Sequence, residues 1–154
     1  MRAICRAIQD LAARSDVQVV WPVHPNPAVQ AIVHGELGCM PNVLLLPPLE
    51  YVPFVDLLQR AYLLITDSGG IQEEGPSLGK LILVLRNKTE RPEAVAAGTV
   101  KLVGSDPDKI VAETTLLLEN RSEYDGMARL HTPCGDGNAS TRIAEHIAAF
   151  LREA

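Results

Sequence analysis

Five short apolar runs of strand length recur along this chain: Val17–Val23, Val43–Leu46, Leu63–Thr66, Leu81–Leu85 and Val100–Val103. They are nearly continuous, where a strand with one wet face would alternate apolar and polar residues. Continuous runs are what strands buried on both faces of a parallel sheet require. Between them lie stripes at helical spacing: Ile4, Ile8, Leu11 and Ala12; Phe54, Val55 and Leu58; Ile110, Val111, Thr114, Leu117 and Leu118; Tyr124, Met127 and Leu130; and Ile143, Ile147, Phe150 and Leu151. Each repeats every three or four residues, which gathers the apolar side chains on one side of a helix. Asp106-Pro107 opens the third stripe with a capping carboxylate and a proline suited to the first helical position. Strand and helix in alternation predict an α/β fold, a Rossmann-like three-layer domain with a mainly parallel sheet and right-handed crossovers.

The chain opens on a helix. In a Rossmann-like unit the first strand lies mid-sheet and precedes that helix. Either the fold begins unusually, or a strand that belongs in the middle of the sheet lies outside this sequence. In the second case an apolar sheet edge is left open, which predicts an oligomer or a rearranged sheet. No internal repeat, low-complexity stretch or linker divides residues 1–154, so a single domain is expected. The Pro- and Asn-rich piece His24-Pro25-Asn26-Pro27 reads as a loop at the end of a strand.

Charge narrows the partners. Fourteen Lys and Arg against nineteen Asp and Glu leave a net charge of −5, and no basic run appears. A nucleic-acid partner would want a basic face, so none is expected. A small anion remains possible, because a helix N-terminus supplies positive potential locally whatever the total charge. The three cysteines, Cys5, Cys39 and Cys134, form no C-x-x-C pair and read as reduced thiols. The N-terminal stretch lacks the apolar core of a secretion signal, and no apolar run is long enough to span a bilayer. The expectation is a cytoplasmic protein with no membrane partner.

The strongest local signal is Leu63-Leu64-Ile65-Thr66-Asp67-Ser68-Gly69-Gly70-Ile71-Gln72-Glu73-Glu74. A buried strand ends in a polar turn with two glycines and runs directly into a helix, one cut short by Pro76 and Gly79. Open α/β sheets bind ligands at the carboxyl ends of their strands. Gly69 and Gly70 leave backbone N–H groups uncovered and Ser68 adds a hydroxyl, together a cradle for phosphate. The same pattern is also that of an ordinary strand-to-helix turn capped by Ser68 or Gly69. A second loop, Arg86-Asn87-Lys88-Thr89-Glu90-Arg91-Pro92-Glu93, follows the next strand. There Thr89 could cap a helix with Pro92 in its first turn, and Arg91 could pair with a phosphate or carboxylate. A solvated charged loop is the plainer alternative. His24 also stands at a strand's carboxyl end. No His, Cys or carboxylate set has metal-ligand spacing, so neither a metal nor a cofactor is predicted. A third loop, Thr132 to Ser140, carries Gly135 and Gly137, and Ser140 could cap the last helix.

Taken in order, TDSGGIQEE, PSLGK, TERPEAV, AGTVKLVG and GDGNAS, with HPNP at His24–Pro27 and EYVPFVDLL at Glu50–Leu58, resemble the C-terminal domain of non-hydrolysing UDP-N-acetylglucosamine 2-epimerases. The resemblance covers nearly the whole chain. It implies one half of a two-domain, glycosyltransferase-B-like architecture with the active site in the cleft. It further implies interconversion of UDP-N-acetylglucosamine and UDP-N-acetylmannosamine. The C2 proton is removed, UDP is eliminated, and UDP adds back as the proton returns on the opposite face. UDP or a UDP-N-acetylhexosamine is the implied ligand. The resemblance places Ser68, Gly69 and Gly70 on the phosphates, Glu74 on the ribose hydroxyls, Phe54 against the uracil, Arg91 near the phosphate site and His24 along the nucleotide-sugar or regulatory pocket. Two parts of the family pattern have no counterpart: an HRREN segment on the domain's first strand, and the N-terminal domain that supplies proton-transferring carboxylates. Smaller departures are Thr132-Pro133-Cys134 for the usual Asn-Pro-Tyr, and Leu81 for a proline. The implied function is therefore nucleotide-sugar binding, with no residue of this chain assigned to the chemical step; the alternatives are a non-catalytic UDP-sugar-binding fragment or the nucleotide domain of a glycosyltransferase.

Overall fold

The structure, a computed structural model, describes residues 1–128 and 137–153. Leu130, Thr132, Pro133, Cys134 and Gly135, named above, lie outside the described residues. The order is helix α1 (Arg2–Ala12), strand β1 (Val19–Pro22), α2 (Pro27–Leu37), β2 (Val43–Leu46), α3 (Tyr51–Arg60), β3 (Leu64–Thr66), α4 (Gly69–Ser77), β4 (Ile82–Val84), α5 (Pro92–Ala96), β5 (Val100–Leu102), α6 (Pro107–Glu119), α7 (Arg121–Met127) and α8 (Ala139–Glu153). All five expected strands are present, β2 with the expected bounds and the other four trimmed by one to three residues. Every pairing among them is parallel, as continuous apolar runs require.

The strands form two sheets, β1-β2 and β3-β4-β5. Helices α1, α2 and α6 cover one face. Cys5, Ile8 and Leu11 of α1 pack with Val23, Val33 and Leu37 beneath the first sheet. Ala7 of the same helix packs with Leu81, Leu83, Val103, Ile110 and Leu117 beneath the second. Ile4, Ile65 and Val111 touch both clusters, so one helical layer spans the two sheets. The opposite face of the second sheet is closed by α3, α4 and α5 around Leu58, Leu64, Ile82, Val84, Ala94 and Val100. The result is the expected three-layer α/β arrangement.

Crossover handedness explains the division. Right-handed units through α2 on one face and through α4 and α5 on the other grow in opposite directions, outward from β1 and from β3. β1 and β3 therefore flank the switch point, where open α/β sheets bind ligands. No strand among the described residues joins them. The expectation of strands buried on both faces holds only in part. Residues Leu81 to Val84 are fully buried, whereas β1 is half-buried throughout and Leu44 of β2 is 48% exposed. The apolar side chains of the first sheet have a helix over one face only.

Several local expectations change. Pro27–Leu37, read as loop and unassigned sequence, is a helix: Asn26 Oδ1 accepts from the Ala28 N–H at 2.9 Å, and Pro27 occupies the first turn. Pro76 does not end α4, which runs to Ser77. Gly79, at φ +68°, ends it, and the Lys80 N–H returns to the Gly75 carbonyl. Ser140 is the second residue of α8, not its cap. Asp106 caps α6 as expected, its carboxylate accepting from the Asp108 N–H at 3.1 Å.

Candidate functional site

β3 and β4 are parallel neighbours with Thr66 level with Val84, so the loops that follow them open on the same edge. Thr66 caps the turn out of β3, its Oγ1 accepting from the Ser68 N–H at 3.1 Å. Ser68 is the N-cap of α4 by backbone, but its side chain makes no capping hydrogen bond. Residues Gly69, Gly70 and Ile71 therefore present N–H groups that have neither an intrahelical partner nor a side-chain cap. A Cβ built on Gly69 meets no atom within 4 Å, and one on Gly70 meets only Ser68 Oγ at 3.8 Å. Neither glycine has positive φ. These glycines are thus unnecessary for backbone conformation or internal packing; what they leave is open space before the helix start. Gly75, on the same helix, is the contrast: its Cβ would lie 2.6 Å from Ile82 Cδ1.

The second loop folds against this turn. Arg91 Nε donates to Glu73 Oε1 in an ion pair, and Arg91 Nη1 donates to the Glu90 carbonyl at 3.1 Å. The Glu73 hydrogen bond, then its charge, pushes Arg91 above an already high pKa, so the guanidinium remains a cation. Thr89 does not cap α5. Pro92 takes the first helical position, which makes Arg91 the cap residue, and the Thr89 hydroxyl turns elsewhere. It donates to Gln72 Oε1 at 2.6 Å and accepts from the Arg91 N–H at 3.0 Å. Gln72 in turn donates to the Ser68 carbonyl at 3.1 Å.

The structure thus brings Ser68, Gly69, Gly70 and Arg91 to one edge, with Glu74 half-buried one turn along α4. Phe54 is half-buried on α3 and packs against the same cluster as Ile71 of α4. His24 stands apart, exposed beyond the carboxyl end of β1, and its Nδ1 accepts from the Asn26 N–H at 3.2 Å. No hydrogen bond or ion pair among the described residues links it to the Ser68–Arg91 group. Gln72 and Glu73 were not picked out as site residues in sequence, and Thr89 was read only as a helix cap. Only the pairing of β3 with β4 brings residues 72 and 89 together, and neither residue type marks a site by itself.

Fold and edge define a Rossmann-like α/β protein with an uncapped glycine turn and a cation at the carboxyl end of neighbouring strands. The family model described as UDP-N-acetylglucosamine 2-epimerase matches residues 1–148, and the chain belongs to that family. It is 56% identical over 143 residues to the UDP-N-acetylglucosamine 2-epimerase of Escherichia coli K12, an alignment covering 92% of this chain and 38% of the relative. The crystal structure of UDP-GlcNAc 2-epimerase from Neisseria meningitidis bound to UDP-GlcNAc superposes with a TM-score of 0.91 at 47% identity, covering 96% of this chain and 40% of that one. The S. aureus MnaA–UDP co-structure gives 0.92 at 39% identity, covering 98% and 41%. The chain thus spans about two fifths of the length of these relatives.

Proposed function

We propose that residues 1–154 form the UDP-sugar-binding domain of a UDP-N-acetylglucosamine 2-epimerase, an isomerase, and make one side of its two-domain active site. The observation that carries this reading is the open, uncapped start of α4 at Ser68-Gly69-Gly70. Relatives of the same fold are described as bound to UDP or UDP-GlcNAc, which supports UDP as the anion such an edge would receive.

In this reading the N–H groups of Gly69 and Gly70 and the Ser68 hydroxyl hold the diphosphate on the positive end of α4. Arg91 stands beside it as a fork donor, exchanging part of its contact with Glu73 for phosphate oxygen. Glu74 accepts from the ribose hydroxyls, Phe54 flanks the uracil, and His24 approaches from the other side of the switch point. Elimination of UDP from the sugar develops negative charge on the departing diphosphate. Donors already aimed at that charge stabilise it without reorganising, and they retain the UDP for re-addition. Binding and leaving-group stabilisation are this chain's share; the C2 proton is moved by groups elsewhere in the enzyme. The free thiols of Cys5 and Cys39 accord with a cytoplasmic location.

Calorimetric titration with UDP tests the reading. Saturable one-to-one binding is expected, weakened in the Ser68→Ala, Glu74→Ala double variant by about 30-fold, the equivalent of two hydrogen bonds at roughly 1 kcal/mol each. No binding at millimolar UDP, in a sample that unfolds cooperatively, would sink it.

A further inference from the structure

Gln72 is only 1% exposed, and both ends of its amide are used. A buried amide is costly unless paired, and here the pairing has a direction. The Ser68 carbonyl that accepts from Gln72 Nε2 belongs to the same peptide plane as the Gly69 N–H. In a trans peptide the oxygen and the hydrogen point opposite ways. Anchoring that oxygen towards Gln72 therefore aims the Gly69 N–H away from it, towards the open space before α4. The other end of the amide accepts from Thr89, whose oxygen accepts from the Arg91 N–H. Because Thr66 holds the Ser68 N–H, an unbroken hydrogen-bonded chain links the end of β3, the glycine turn and the backbone of Arg91.

We propose that Gln72 and Thr89 are positioning residues for a nucleotide diphosphate. Gln72 sets the plane of the first phosphate-binding peptide, and Thr89 carries that constraint to the loop bearing Arg91, so both donors face the same ligand. This rests on the UDP-binding reading above. Neither residue touches the ligand.

The test compares UDP affinity, by calorimetry on the full chain, among wild type, Thr89→Ser, which keeps the hydroxyl, and Thr89→Val, which replaces it with a methyl of similar shape. Thermal unfolding is followed on the same samples. Thr89→Ser should bind within about twofold of wild type and Thr89→Val about tenfold more weakly, the scale of one lost organising hydrogen bond. A cycle with Arg91→Ala supplies the readout that a merely structural role would not move. Arg91→Ala should weaken UDP binding in the wild-type background and lose most of that effect in the Thr89→Val background. Should Thr89→Val fail to fold, Gln72→Glu takes its place: it keeps an acceptor for Thr89, loses the donor to Ser68, and should likewise bind UDP about tenfold more weakly. If wild type binds UDP and the hydroxyl-free variant binds equally, or the two substitutions act additively, the positioning role is overturned. If wild type binds no UDP, the nucleotide reading falls, and this inference with it.

Discussion

Two glycines on one helix show how differently the same residue type can be used. Gly75 is small because α4 lies directly on the second sheet, and a methyl there would press on Ile82 and Leu64. Gly75→Ala is expected to lose about 1–3 kcal/mol of stability, measurable by denaturant unfolding. Gly69 has no such neighbour. Gly69→Ala should leave stability unchanged or raise it by up to about 1 kcal/mol, since alanine is the better helix former. The same substitution should weaken UDP binding by about tenfold or more, because its methyl occupies the space left for the phosphates. A Gly69→Ala chain that binds UDP normally would place the ligand elsewhere. The cysteines give a check on packing: Cys39 is exposed, while burial holds the Cys5 thiol above its usual pKa. A thiol reagent followed by peptide mapping should modify Cys39 in the folded chain and Cys5 only on unfolding. Ser68, Gly69, Gly70 and Arg91 were legible as an edge because each lies in the polar segment that follows an apolar run. The partners that organise them were not, since the Gln72–Thr89 contact depends on which strands pair.

Among the elements, β3 to β5 were the most legible, because buried parallel strands leave unbroken apolar runs that loops rarely contain. Helix α2 was missed although Asn26-Pro27 is a capping residue followed by a proline at the first helical position. His34, Gly35 and Glu36 dilute its stripe, and only Val33 and Leu37 are buried. The misplaced cap at Thr89 has a physical cause: proline favours the first helical position, so the cap is the residue before it, Arg91. Asp106 followed that rule and was placed correctly. Asp106→Ala should cost about 1 kcal/mol of stability by loss of its bond to the Asp108 N–H, seen as a lowered Tm with UDP affinity unchanged. In α8 the expected stripe is present, yet Ile143, Ile147, Phe150 and Leu151 are 54–71% exposed. The spacing announces an amphipathic helix without saying what the apolar side meets.

At the scale of the molecule, the opening helix left open how the sheet begins; among the described residues β1 and β3 are not paired with each other. It could not show that α1 would bridge the two sheets from one side. Both strands present backbone groups to the switch point, and the first sheet is only half-covered. Open strand edges recruit other chains, and α8 adds apolar surface. We therefore propose that the chain by itself self-associates; multi-angle light scattering at micromolar concentration should report a species larger than a monomer, and a strict monomer would contradict this. UDP binding is expected of residues 1–154 by themselves, since binding does not require proton-transferring groups. The central claim is spatial, that UDP sits on the start of α4. Amide-resolved NMR during a UDP titration locates it most directly. The largest shifts should fall on Ser68, Gly69, Gly70 and Ile71, with Arg91 and Glu74 following. Saturating shifts confined to other elements, with the α4 start unmoved, would contradict it.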